Sequence, residues 1–266
     1  LSLKKKIGVG LLTFFLMGLV IAIFPLLLFF SVSSGMLGKM PTDQELLSVK
    51  NYQASEVYSA DSVLLGRYFV ENRSDASYEE VSPFVFESII ATEDARFYKH
   101  TGVDTKSLLR VLFKSVLLGQ NTGGGSTITQ QLAKNVFGRK SYGWLTMPVV
   151  KIREAIIANQ LEHLYTKKEI LILYINTVSF GEDTYGIKTA SMRFFSKTPD
   201  KLLLEEAAVL AGTLKSPTYY NPRKNPVHAL ERRNLVLGQL LKYTYISQKE
   251  FDEAKQKPLV LEYLKL

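Results

Sequence analysis

The run GGGSTITQQLAKN occupies Gly123–Asn135. Thr127 and Gln130 have the spacing of a capping box, with Thr127 as N-cap and Gln130 at the third helical position. A helix is therefore expected to begin at Ile128. The run is not a nucleotide loop, because no Gly-Lys-Ser/Thr ends it. Glycines before a helix start let backbone N–H groups approach an anion. Lys134, seven residues after Thr127, falls on the same helical face. The same residues also describe a flexible loop before a well-capped helix. Read alone, the run leaves both meanings open.

Two neighbouring stretches carry carboxylates. In ATEDARFYKHTGVD (Ala91–Asp104) a continuous helix would put Glu93, Phe97 and His100 on one face, with Gly102 at its end. The aliphatic Ile89 and Ile90 imply partial burial of Glu93, a setting suited to a proton acceptor. The alternative is a solvated acidic turn with His100 as a capping or packing residue. In PVVKIREAIIANQLEHLY (Pro148–Tyr165), Lys151 and Glu154 sit at i and i+3, away from Ile152. Such a carboxylate could be held ionised or could protonate a leaving group. The alternative is a surface ion pair worth under about 1 kcal/mol.

Further out, apolar residues recur at steps of three and four through Phe84–Tyr98, Ser107–Leu118, Pro148–Leu164, Lys168–Ile175, Leu202–Leu214 and Ala229–Tyr243. Thr166 and Glu169 make a second capping box. SPTYYNP (Ser216–Pro222) reads as a turn-rich break, and ISQKEFDEAKQ as a last short helix. Ala54–Arg73 reads as a hairpin with Gly66 marking a bulge. The body is thus mainly α after a small β-rich lead-in.

The chain has 266 residues, no cysteine and a net charge of +8. Disulfides, thiolate nucleophiles and cysteine metal sites are excluded. The three histidines lack metal-site spacing, and no G-x-S-x-G occurs. Residues 1–30 hold three lysines and no acids, so the remainder carries 30 basic against 25 acidic groups. That balance suits anionic partners such as phosphate head groups, a pyrophosphate or nucleic acid, or serves solubility. Ile7–Phe30 is 24 residues without charge, about 36 Å as a helix and enough to cross a bilayer. Lys4–Lys6 before it place the N-terminus in the cytoplasm and the rest outside. Pro25 is expected to kink this helix. The chain begins at Leu1 rather than Met, as a fragment or processed form would.

Together these segments resemble the peptidoglycan glycosyltransferase family, the transglycosylase domain of class A penicillin-binding proteins and of monofunctional transglycosylases. The likeness runs from about Ser55 to Leu261. EDARFYKHTG is similar to the family's first motif, GGSTITQQLAKN to the second, KIREA to the third, KKEILILYIN to the fourth and RRNLVL to the fifth, in that order. YGIKTASMRFFSK and LKSPTYYNP resemble its connecting segments.

The resemblance implies a lysozyme-like, bilobal, mainly α glycosyltransferase domain over residues 54–266. It would lie behind an anchor at 1–30 and a juxtamembrane connector at 31–53. It implies polymerisation of lipid II: the 4-hydroxyl of an incoming lipid II attacks the anomeric carbon of the growing chain, with inversion and loss of the lipid pyrophosphate. Glu93 falls on the family's general base and Glu154 on its second carboxylate. Ser126, Thr127, Gln130, Gln131 and Lys134 fall on donor pyrophosphate and sugar contacts, and Lys151 on the third motif's basic position. Arg96 and Asn135 are further pocket candidates. Moenomycin, a family inhibitor that mimics the donor, would meet Lys134 and the residues of STITQQ.

The implied setting is the bacterial inner membrane, in one pass. Lipid II, the glycan chain, the membrane and cell-wall synthesis proteins are the implied partners, and nucleic acid is not. No cofactor is required, and no residue is assigned as a metal ligand. A divalent cation (Mg or Mn) at the pyrophosphate is carried as an option. Asp104–Gly119 and Arg139–Thr146 are expected to form a membrane-facing jaw and a mobile flap; for the first, a core helix is the alternative.

Two departures stand out. The family's third motif usually has Arg-Lys ahead of the glutamate, whereas here Val150 precedes Lys151, leaving Arg153 or Arg139 to supply the charge. The family's Tyr-Phe-Gly-Lys run is Phe194-Phe195-Ser196-Lys197 here. Neither a transpeptidase Ser-x-x-Lys in the body nor a Lys-Thr-Gly occurs, so covalent penicillin binding is not expected of this polypeptide. The extension past SPTYYNP suggests a truncated class A protein over a complete monofunctional one. A membrane-anchored muramidase-like hydrolase and an inactive cell-wall scaffold are the rival readings.

Overall fold

The computed structural model describes residues 3–49, 55–58, 64–68, 75–117 and 124–264. Helix α1 (Leu3–Ser33) contains Pro25 and the apolar stretch Phe14–Ser33, of mean hydropathy 2.7. Among the described residues it alone is long and apolar enough to cross a membrane. Its last turns rest on the body, where Leu28 and Val32 pack against Val149, flanked by Leu37, Met40, Tyr142 and Ile152.

The chain then folds back. Arg153 donates from Nη1 to the Gly38 carbonyl (2.7 Å) and from Nη2 to that of Lys39 (2.9 Å). Helix α2 (Asp43–Leu47) is fixed by a Thr42/Glu45 capping box and inserts Leu46 into the main core. The segment read as a connector is therefore docked on the body through its described residues. Strands β1 (Ser55–Tyr58) and β2 (Leu64–Tyr68) pair antiparallel. Val57 faces Gly66 while Tyr58 faces Leu64, which is the bulge expected at Gly66. The other parts of the expected hairpin, residues 54, 59–63 and 69–73, lie outside the described residues.

Helix α3 (Pro83–Glu93) opens on Pro83 at a first-turn position, where a missing N–H costs nothing. It was expected to continue to Tyr98 but stops at Glu93. Asp94 leaves helical geometry at φ −154° and ψ 70°. Its carboxylate instead accepts from the backbone N–H of Ile128 (3.1 Å) and pairs with His100 Nε2 (2.9 Å). The chain resumes as a 3-10 turn at Phe97–Lys99. Glu93, Phe97 and His100 therefore share no helical face: Phe97 enters the core and His100 holds Asp94. Gly102 does more than end a helix. At φ +86° it lies so close to the helix Thr146–Leu164 that a Cβ would meet the Ala158 backbone at 2.7 Å.

The remaining helices are α4 (Thr105–Leu117), α5 (Ile128–Phe137), α6 (Thr146–Leu164), α7 (Lys167–Thr177), α8 (Ile187–Phe195), α9 (Leu204–Thr213), α10 (Pro226–Lys242) and α11 (Gln248–Gln256). A short hairpin of β3 (Ser179–Gly181) and β4 (Thr184–Tyr185) precedes α8. Helix α9 is buried along Ala207–Thr213, and its alanines let it pack closely between α3 and α10. Helix α5 packs on α6 and α7. The structure is mainly α with a two-stranded lead-in behind an apolar N-terminal helix, as expected. Short α2, α8 and the β3–β4 hairpin were not foreseen.

After α11 the chain returns along α8, where Glu262 and Leu264 donate backbone N–H groups to the Phe194 and Arg193 carbonyls. Glu182, in the β3–β4 turn, ties this region together. It accepts from Arg223, Asn221 and the Tyr263 hydroxyl, and pairs with Arg193.

Candidate active site

Two adjoining cavities meet at Glu93, the last residue of α3. The smaller, of about 230 Å³, is lined by Glu93, Ser126, Gln130, Gln131, Lys134, Arg139, Lys151, Glu154 and Lys215 among others. The larger, of about 580 Å³, shares Glu93, Gly124, Gly125, Ser126 and Lys215 and adds Arg96, Asp104, Arg110, Arg232, Gln239 and Lys242. Both are rich in cations, so both suit anionic groups. Gly123 and the rest of 118–123 lie outside the described residues.

Glu93 is half-buried. Its Oε2 accepts from Gln131 Nε2 at 3.0 Å, and Gln131 Oε1 accepts from the Tyr174 hydroxyl at 3.0 Å. Tyr174 is fully buried on α7. Burial first, and the Glu93 charge second, push its phenol well above the usual tyrosine value, so it remains a proton donor.

The second carboxylate, Glu154, is buried on α6. Lys151 Nζ donates to its Oε2 at 2.6 Å and to Ser126 Oγ at 3.0 Å. Arg139, from the segment between α5 and α6, donates from Nε to Oε1 at 2.9 Å. Lys151 and Glu154 are thus a cavity pair, not a solvated surface pair. Arg139 supplies the second cation at Glu154, while Arg153 is turned away to the Gly38 and Lys39 carbonyls. Lys134 projects into the same cavity. Burial first, then the cations Arg139 and Lys151, hold its ammonium below the usual lysine value, with Glu154 and Glu93 opposing them. Crowded cations of this kind gain when an anion enters between them.

The capping box at Thr127 and Gln130 forms as the sequence predicts. The anion site expected at this helix start is altered, however. Asp94 occupies the Ile128 N–H, Thr127 Oγ1 the Gln130 N–H, and Gln130 Oε1 the Thr127 N–H. These amides are satisfied internally, so side-chain cations supply the positive charge. Thr127 is buried and also donates to the Gly102 carbonyl. It fixes the helix start and lines the large cavity, whereas Gln130 fixes the helix start and lines the small one. Arg96 lines the large cavity and donates to Asp104 Oδ2 at 2.9 Å. Burial raises the Asp104 carboxyl, but bonds from Ser107 and Arg96 outweigh it and leave the group below the usual aspartate value. Asn135 is half-buried on α5 and lines neither cavity.

Sequence reasoning missed Tyr174, Asp94, Lys215 and Arg232. Tyr174 sits in the fourth motif as one more apolar-face residue, and nothing in the spacing marks its hydroxyl. Among the described residues Arg232 Nε is buried without a hydrogen-bond partner, and its side chain lines the large cavity. Among the described residues no group of three or more His, Asp or Glu side chains is arranged to hold a metal. Both oxygens of Glu154 are already engaged by cations. The described residues around the two cavities thus offer no ligand set for Mg or Mn.

The chain is similar to proteins of known family. A family model described as transglycosylase matches residues 61–241. The chain is 38% identical over 257 residues to penicillin-binding protein 1A of Aquifex aeolicus, covering 97% of this chain and 34% of that one. It is 36% identical over 225 residues to penicillin-binding protein 1A of Escherichia coli, covering 85% and 26%. A crystal structure of penicillin-binding protein 1A from Haemophilus influenzae aligns over 81% of this chain and 22% of that one, with a TM-score of 0.47 at 24% identity. The chain spans about a third or less of the length of these relatives.

Proposed function

The chain belongs to the transglycosylase family, and from that premise we propose that it is a peptidoglycan glycosyltransferase that polymerises lipid II. The observation that carries the reading is the position of Glu93, where a cavity crowded with Lys134, Arg139 and Lys151 meets a second, larger cationic cavity. A polymerase of pyrophosphate-linked sugars needs two anion sites with a base between them.

In this reading the small cavity takes the pyrophosphate of the growing chain and the large one takes the incoming lipid II. Glu93 removes the proton from the acceptor 4-hydroxyl, which is a poor nucleophile without a base. The hydroxyl oxygen bonds to the anomeric carbon as the bond from that carbon to the pyrophosphate oxygen breaks, inverting the centre. Pyrophosphate leaves readily once its charge is balanced, and Lys134, Arg139 and Lys151 supply that balance. Glu154 holds Lys151 and Arg139 in place. Helix α1 anchors the enzyme in the cytoplasmic membrane, with the N-terminus inside and the body outside, so that enzyme and both lipid-linked substrates share one surface. Proteins of the cell-wall synthesis complex are its proposed partners.

The test is incubation of the purified protein with lipid II, followed by separation of glycan polymers. Polymer should accumulate as lipid II disappears. Release of sugar fragments from finished cell wall, with lipid II untouched, would assign the protein to the hydrolases instead.

A further inference from the structure

We propose that Tyr174 is a positioning residue that sets the orientation of the Gln131 amide and, through it, the carboxylate of Glu93. The proposal rests on the reading of Glu93 as the base. A buried phenol must place its proton on an acceptor or lose a hydrogen bond. The acceptor within reach of Tyr174 is Gln131 Oε1, at 3.0 Å. That bond turns the amide nitrogen toward Glu93, where it donates to Oε2 at 3.0 Å.

The opposite amide orientation is worse at both ends. It sets a carbonyl oxygen against a carboxylate, and it strands the phenol proton. Gln131 and Tyr174 come from different helices, α5 and α7, so packing between those helices fixes the Glu93 carboxylate in space. With Oε2 held by Gln131, Oε1 is the oxygen left for the acceptor hydroxyl. Gln131 then acts on the base rather than on the donor sugar, a role its place in the second motif does not suggest.

The test compares wild type, Tyr174→Phe, Gln131→Met and the double variant in lipid II polymerisation. Tyr174→Phe keeps the ring and its packing and removes the hydroxyl alone. It should lower kcat about tenfold with KM for lipid II within twofold. Gln131→Met should lower kcat at least as far, and adding Tyr174→Phe to it should cost nothing more, because the two act in series. A wild-type kcat in Tyr174→Phe, a change confined to KM, or losses that multiply in the double variant would overturn the proposal. A second readout does not depend on turnover. In 15N-glutamine-labelled protein, the side-chain amide signal absent from Gln131→Met should shift in both Tyr174→Phe and Glu93→Gln. A signal indifferent to Tyr174→Phe overturns the positioning role even if wild type makes no polymer. Absence of polymer from wild type, with the amide shifts present, overturns the enzyme reading alone.

Discussion

Arg139 Nη2 lies 2.8 Å from Oε1 of Glu154, fifteen residues further along the chain. Lys151 Nζ lies 2.6 Å from the other oxygen of the same carboxylate. The third motif, which has Val150 where the family resemblance leads one to expect arginine, thus gains a guanidinium from outside the motif. Arg153, nearer in sequence, is committed to two carbonyls of the segment that follows α1.

Arg139 and Arg153 should therefore separate on mutation. Arg139→Ala should slow lipid II polymerisation by roughly 100-fold, the order found when one preorganised donor to a developing anion is lost. Arg153→Ala should stay within about threefold of wild type. Initial rates on labelled lipid II measure both, and equal losses would contradict the assignment.

Gly102→Ala should destabilise the fold. The residue sits at φ +86°, and a Cβ would stand 2.7 Å from the Ala158 backbone. Overpacking against rigid backbone, added to a left-handed conformation, costs about 2–4 kcal/mol. Thermal denaturation should show a clear drop in Tm, and an unchanged Tm would mean that α6 and this turn are not in close contact.

Trp144 is the single tryptophan. It is 81% exposed on the protein yet stacks on Phe24 of α1, with ring centroids 6.2 Å apart. Phe24 lies nine residues before the end of α1, about 14 Å along the helix. With α1 in a bilayer, the indole must sit in lipid. Its emission should be blue-shifted in vesicles and quenched by lipids brominated on their acyl chains. An indole that these lipids leave unquenched would refute this placement of the 139–147 segment.

Glu182 should give a pH-dependent contribution to stability. Its burial raises the carboxyl, but Arg223, Tyr263 and Arg193 outweigh that effect and leave it below the usual glutamate value, 4.5. A depressed acid stabilises the fold above its unfolded value, and the contribution is lost as pH falls through the folded value. Glu182→Gln should cost about 2 kcal/mol at pH 7. The gap to wild type should close as pH falls below the usual carboxylate range. A gap that stayed constant over that range would show that the charge of Glu182 is not what holds Tyr263 and the C-terminal segment.

Much of the architecture is legible in the sequence because it is local. The capping boxes at Thr127 and Gln130 and at Thr166 and Glu169 form where their spacing puts them, and Gly66 marks its bulge. What was misread depends on distant partners. Periodicity carries α3 past Glu93, but Asp94 is drawn out of the helix by an N–H of α5 thirty-four residues on. The convergence of Lys134, Arg139 and Lys151 has no signature in spacing, since it needs α5 packed on α6. Tyr174 reads as core and is core; its hydroxyl acquires meaning through Gln131. Helix α8 falls in a segment that reads as a connection in the sequence, although Ile187, Ala190 and Phe194 are buried at helical spacing.

The central claim is that Glu93 is the base of a lipid II polymerase. The most direct measurement is glycan polymer formed from lipid II by wild type and by Glu93→Gln, with matched thermal stability confirmed for both proteins. Wild type should convert lipid II to polymer and Glu93→Gln should form almost none. Equal polymer from the two proteins would contradict the account.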